Sequence, residues 1–465
     1  MIRLALAELR ADWRLWTGPL AVLLVTAALL HLATICWISA GAPEAGSLLA
    51  TAGTNASEVR AGAAVVYVCT GLAAVIVLGS VAAATVDAQR VRIARWRLSG
   101  AGPGQVRATV LAQLAVLAVL GSLAGVVAAL PCSQLAMDLF VLMGAHQRLA
   151  INATPGIDTA AVAVGVALVV SMAGGVRPAS RAARVSPVEA LRGPVEPRQG
   201  MTAARWVGAG LFMFAVLVQV AVILASTAIL GSGPDLANAT MTNGLMIGVL
   251  VVVTMALLAP LILSGVLRLW GALIPPRLST AWFLARHSTT DRLKQSTAAV
   301  IPLMVGASLY GILFGMIATW QASLTATGSP AQLNSIDTYV VLTPVALIAA
   351  TGSIATVFMT SRSREHEFAV LRTAGATKPT ILGMTVAEAT IYTVTAILLS
   401  LAAIAASVAT VSVSLKTTGL PFTPSIDLRQ VITLAAAAFL GMVIAVAIPA
   451  ILSTRAPIRQ TLAPQ

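Results

Sequence analysis

Few side chains in this sequence have a type and spacing that could carry chemistry. The four histidines (His31, His146, His287 and His366) lie far apart, and no His-Glu-x-x-His run, Cys-x-x-Cys pair or carboxylate cluster occurs. Metal-dependent hydrolysis needs convergent ligands of that kind, so the class has no support. Leu98–Gln105 reads LSGAGPGQ and looks superficially like the LSGGQ signature of ABC ATPases. A nucleotide site also needs a phosphate-cradling loop ending in Gly-Lys-Ser/Thr. The only lysines are Lys294, Lys378 and Lys416, and none follows a glycine. The chain is therefore expected to be no enzyme and to bind no cofactor itself.

Three polar residues fall inside apolar runs. His31 lies in the first run, and an ionisable group in a membrane span is costly enough to be a site candidate. An interhelical hydrogen bond is the plainer account. Glu388 sits two turns into a late apolar run, and Gln113 occupies the corresponding place in an early one. Both fit a packing hydrogen bond near a membrane interface; the sharper alternative is a latch that responds to movement of the preceding segment.

That segment is Arg362–Ile381, RSREHEFAVLRTAGATKPTI, a charged insert between two long apolar runs. Glu365–Arg372 can form an amphipathic helix with Phe368, Leu371 and Ala374 on one face. Gly375 then breaks it, and Pro379 opens the next helix where a missing N–H costs little. A short helix across the membrane surface is what a membrane subunit needs to receive force from a soluble partner; a solvated loop is the bland alternative. The pattern recurs 275 residues upstream. Arg90–Val106 reads RVRIARWRLSGAGPGQV, aligning Arg97 with Arg372, Gly100 with Gly375, Ala101 with Ala376 and Val106 with Ile381. A segment written twice favours function over a chance loop.

Glu367, Ala369, Leu371, Arg372, Gly375, Ala376 and Ile381, followed by a long apolar helix, resemble the FtsX-like permease domain of MacB-, LolC- and BceB-type ABC transporters. The first copy departs from the pattern, with Arg92 in place of Glu367 and Trp96 in place of Leu371. The resemblance implies a permease subunit without catalysis of its own, served by a separate ABC ATPase, two copies per permease, which holds ATP and Mg. It also implies that Arg90, Arg97, Gly100, Ala101, Glu365, Glu367, Leu371, Arg372, Gly375 and Ala376 couple the two.

Composition fits such a chain. It is 58% hydrophobic and 10% charged, with a mean hydropathy of +0.92 over 465 residues, which no soluble domain matches. Ten spans are expected, at about Trp16–Ile38, Ala61–Val86, Val106–Leu130, Thr159–Val176, Ala204–Leu230, Gly244–Leu269, Ser296–Trp320, Asp337–Ser361, Ile381–Val413 and Leu428–Leu452. Of the 29 Lys and Arg, all but Arg60, Arg148, Lys416 and Arg429 then lie on one side. The positive-inside rule places that side, and both termini, in the cytoplasm of a bacterial cell. The net charge of +13 thus reports topology and contact with membrane lipid, with no nucleic acid partner expected. Cys36, Cys69 and Cys132 read as packing residues. Residues 1–15 suit an interfacial helix entering a retained first span.

The expected fold is all-α and polytopic. Residues 1–200 and 278–465 form two four-helix FtsX-like repeats, joined by a two-helix insert at 201–277. The layout resembles a ten-helix BceB-type permease. Unlike that type, its external loops (39–60, 131–158, 231–243, 321–336 and 414–427) are too short to build a domain. Gly121-x-x-x-Gly125 and Gly311-x-x-x-Gly315 read as close helix contacts, and Pro260, Pro302 and Pro449 as hinge candidates. The expected activity is ATP-driven export of a hydrophobic peptide, antibiotic or lipid. Relay of ATPase state to a cell-wall hydrolase or sensor kinase is the alternative, and ion-driven transport a third, disfavoured by the scarcity of buried carboxylates. A substrate-delivery or sensor partner is compatible with either of the first two.

Overall fold

The computed structural model describes residues 13–145, 147, 149–186, 203–229, 234–272, 275, 279–291, 293–326, 336–417, 421, 424–425 and 428–455. The expected interfacial helix up to residue 12, the linker at 187–200 and the C-terminal tail lie outside the described residues, as do His146 and Arg148. The described chain is α-helical, with no strand. Fourteen helices follow in order: α1 Trp13–Ser39, α2 Pro43–Thr51, α3 Ala56–Ala88, α4 Arg90–Leu98, α5 Pro103–Ala129, α6 Ser133–Ala145, α7 Ile157–Ala182, α8 Ala203–Ile229, α9 Pro234–Gly271, α10 Thr280–Asp291, α11 Leu293–Ala326, α12 Ile336–Thr373, α13 Lys378–Thr417 and α14 Leu428–Arg455.

Nine stretches are long and apolar enough to cross a membrane, in α1, α3, α5 running on through Met143, α7, α8, α9, α11, α12 and α13. A tenth helix, α14, holds the shorter apolar stretch Val431–Ala447. Helices apolar all round suit a bilayer, because each satisfies its own backbone where no water can. Pro260 and Pro302 sit inside uninterrupted helices.

Two compact units emerge, and they do not follow chain order. The first takes residues 1–198, 339–374 and 452–465; the second takes 199–338 and 375–451. Thus α12, which belongs by sequence to the second repeat, packs with the first repeat. Its Ile348, Ala355 and Met359 join Trp16, Leu23, Val77, Leu78, Ile93 and Leu114 in one buried cluster.

Within the first unit, α1, α3, α5 and α7 form the centre. A Cβ on Gly125 would collide with the Leu24 carbonyl oxygen, and one on Gly121 would stand 3.0 Å from Leu23 Cβ. The α5 glycines thus bring two backbones together, which is how small residues drive helix association in lipid. A Cβ on Gly174 of α7 would stand 3.1 Å from the Val75 carbonyl oxygen and 3.2 Å from the Gly79 nitrogen of α3. The loop helix α6 has no core of its own and buries Met137, Phe140 and Val141. In the second unit α11 packs along α13, where Gly311 and Gly315 face Ile404 and Val408. The equivalent helix pair therefore carries Gly-x-x-x-Gly in both repeats, on opposite partners. Trp270 Nε1 donates to Thr395 Oγ1 (2.9 Å), and Ser407 Oγ to the Gly244 carbonyl (2.9 Å), tying α9 to α13.

Candidate functional site: two exposed helix-breaking turns

The two turns that follow the charged segments have the same backbone. Gly100 has φ +94° and Gly375 φ +95°. Both are exposed, and a Cβ at either would meet nothing within 4 Å. Conformation rather than packing requires glycine here, since a left-handed residue ends the helix and only glycine enters that region without strain. The hydrogen bonds keep the 275-residue register. Ser99 N–H donates to the Arg95 carbonyl (3.0 Å) as Ala374 N–H does to that of Val370 (3.0 Å). Val106 N–H donates to the Gly102 carbonyl (3.1 Å), as Ile381 N–H does to that of Thr377 (3.1 Å). In the first copy Gly100 N–H also reaches Arg97 and Ala101 N–H reaches Trp96, which completes a Schellman motif.

Burial matches position by position. Ile93 and Phe368 are buried; Trp96 and Leu371, Arg97 and Arg372, and Ala101 and Ala376 are half-buried; Val106 and Ile381 are buried again. One apolar side chain anchors each turn, while Val91, Arg95 and Leu98 in the first copy and Val370 and Thr373 in the second stay exposed. Leu98 and Val370 keep about half their surface open, at 52% and 48%.

The copies differ in how they leave the membrane. In the first, Gln89 (φ −96°, ψ 9°) separates α3 from the nine-residue α4. In the second no detached surface helix forms: α12 runs unbroken for 38 residues to Thr373. No glycine or proline interrupts Arg362–Thr373, so the span continues as a rigid lever to its turn. The backbones of Glu365 and Glu367 lie in that helix, and their side chains lie outside the described set. Arg90 is half-buried at the start of α4.

Arg97 does something its spacing did not reveal. Its Nη1 donates to the Ala183 carbonyl (2.8 Å), the C-cap of α7. A guanidinium at a helix C-terminus satisfies an orphan carbonyl and complements the dipole, so Arg97 ties the first turn to α7. The partner is 86 residues away.

The intramembrane polar residues are dispersed. His31 Nε2 lies 3.1 Å from Thr159 Oγ1 at the start of α7. Thr159 Oγ1 also donates to the Gly156 carbonyl (2.8 Å) and accepts from Gly156 N–H (3.0 Å). His31 is thus a strut between α1 and α7, and Ser39 ties α1 to the segment before α7 through Thr154 (2.9 Å). Gln113 and Glu388 are both fully buried at equivalent places. Neither polar atom of the Gln113 amide has a partner among the described residues. No group of three or more potential metal ligands converges among the described residues.

The candidate site is therefore a pair of exposed turns, each between a charged helical segment and a long apolar helix. The FtsX-like permease C-terminal family profile matches residues 64–187 and 341–458, two segments that each contain one turn and together cover just over half the chain. No curated protein matches the chain. With the repeat, the turns and the spans all accounted for, the chain belongs to the FtsX-like permease family, the multi-pass membrane subunits of ABC-type transporters that work with a separate ABC ATPase.

Proposed function

We propose that this permease exports or extrudes a hydrophobic or amphiphilic substrate, such as an antimicrobial peptide, an antibiotic or a lipid, from a bacterial cytoplasmic membrane. Two ATPase copies, carrying ATP and Mg, engage the turns at Gly100 and Gly375, with both chain termini on the same cytoplasmic side. Closure of the ATPase pair pushes α4 and the end of α12, which lead into those turns. Arg90, Arg97, Ala101, Glu365, Glu367, Leu371, Arg372 and Ala376 line or brace the contact.

The observation that carries this reading is the repeated turn, with its positive-φ glycine, buried anchor and open face. The short loops at the opposite ends favour export over relay. Gln134 fastens the segment after α6 by accepting from Ala153 N–H and donating to the Ile151 carbonyl, leaving little surface for an external hydrolase or sensor. The test is purification of the tagged permease from its native membrane. A Walker-type ATPase at two copies should accompany it, and Arg372→Glu should abolish permease-dependent ATP hydrolysis. Recovery without any ATPase, or full activity in the variant, would overturn the reading.

A further inference from the structure

Helix α7 has two unlike faces. Ala163, Ala167, Val170, Ala179 and Ala182 are buried in the first unit, and Val185 continues that face. On the other side Val162, Val169 and Val176 are exposed, at 47%, 68% and 40%. At 1.5 Å per residue that exposed stripe runs about 21 Å, most of the roughly 30 Å of bilayer hydrocarbon. Its chemistry then changes abruptly. Arg177, Arg181 and Arg184, spaced one and two turns apart, are all exposed. Their guanidiniums make no ion pair or hydrogen bond among the described residues. Arg177 and Arg181 lie in the last two turns of α7, and Arg184 in the turn just after it.

We propose that Arg177, Arg181 and Arg184 form a binding site for an anionic phospholipid headgroup. The apolar stripe above seats the acyl chains, and the guanidiniums take the phosphate, which their planar forks match bidentately. A single arginine at a span end only snorkels. Three exposed in succession at one end of the span, flanking an acyl-facing stripe, present a row of donors at one level. Pro178, Ala179 and Ala182 pack behind them, and Arg97 clamps the last carbonyl of the helix. The only acidic side chain of α7, Asp158, lies at its other end. Asp87 is exposed at the end of α3 that leads into the first turn, and Glu58 lies at the opposite end of that helix. The site depends only on the chain spanning a membrane, and stands whether or not the transport reading does.

Electron paramagnetic resonance of the full-length protein in nanodiscs tests this, with spin-labelled phosphatidylglycerol or phosphatidylcholine as probe. Each arginine near the surface contributes roughly a five-fold preference for anionic lipid. Wild type should therefore immobilise phosphatidylglycerol over phosphatidylcholine by at least about ten-fold at low salt. The triple variant R177Q/R181Q/R184Q should fall to parity, and R177K/R181K/R184K should keep most of the preference. If the triple variant does not fold, Arg181→Gln alone should lose about five-fold. Parity in the wild type, or an undiminished preference in the glutamine variants, would overturn the site.

Discussion

Replacing Gly375 by alanine separates conformation from packing. The φ of +95° places an L-residue in the left-handed region, at a cost of about 1–2 kcal/mol. Alanine recovers about 0.4–1 kcal/mol by restricting the unfolded chain. Nothing lies within 4 Å of the added Cβ, so no steric term enters, and the net loss is at most about 1.6 kcal/mol. In an open turn the chain relieves that strain by rotating toward negative φ, which swings the end of α12 rather than unfolding the bundle. Stability should drop by a few degrees at most, while permease-stimulated ATP hydrolysis in the purified complex falls severely. Asparagine tolerates the left-handed region better than alanine does, so activity should rank Gly, Asn, Ala, then Pro. Gly53 supplies the control. It also has positive φ (+75°) and open surroundings, in the turn between α2 and α3. Gly53→Ala should cost similar stability and leave hydrolysis intact. Equal coupling in Gly375→Ala and wild type, or equal damage from Gly53→Ala, would refute the reasoning.

Three further outcomes follow from the buried polar groups. Gln113→Met should be neutral or raise thermal stability in detergent, by up to about 1–3 kcal/mol, because it removes a buried amide without partners. A marked destabilisation would reveal a partner for it. A double-mutant cycle of His31→Ala and Thr159→Val should give a coupling of about 0.6–1.7 kcal/mol, with transport retained, as expected of a strut. Arg97→Ala should cost about 1.5–3 kcal/mol through loss of a charged hydrogen bond to the α7 cap, and limited proteolysis should show the end of α7 opening first.

Most of the architecture was readable from hydropathy, because a membrane helix must be long, apolar and closed on its own hydrogen bonds. The spans, both Gly-x-x-x-Gly contacts and the family followed from local pattern. So did the two glycine turns, since a left-handed cap leaves glycine as its mark in the sequence. What escaped was non-local. The clamp of Arg97 on Ala183 and the strut from His31 to Thr159 join residues 86 and 128 apart. The packing of α12 with the first repeat has no local sign either, because an apolar face in lipid does not name its partner. The unbroken course of α12 through Arg362–Thr373 was legible in principle. The charge of the segment suggests a separate helix lying across the membrane surface, whereas strong helix formers such as Arg, Glu and Leu continue the span's own helix into water.

The most direct test of the central claim is photocrosslinking from the two open faces in native membranes, with a benzophenone residue replacing Leu98 or Val370. Both positions should capture a polypeptide that mass spectrometry identifies by its Walker motifs as an ABC ATPase, and Val169 on the lipid-facing stripe of α7 should not. Capture of lipid alone at Leu98 and Val370, or capture of the ATPase from Val169, would contradict the assignment of the turns as the coupling surface.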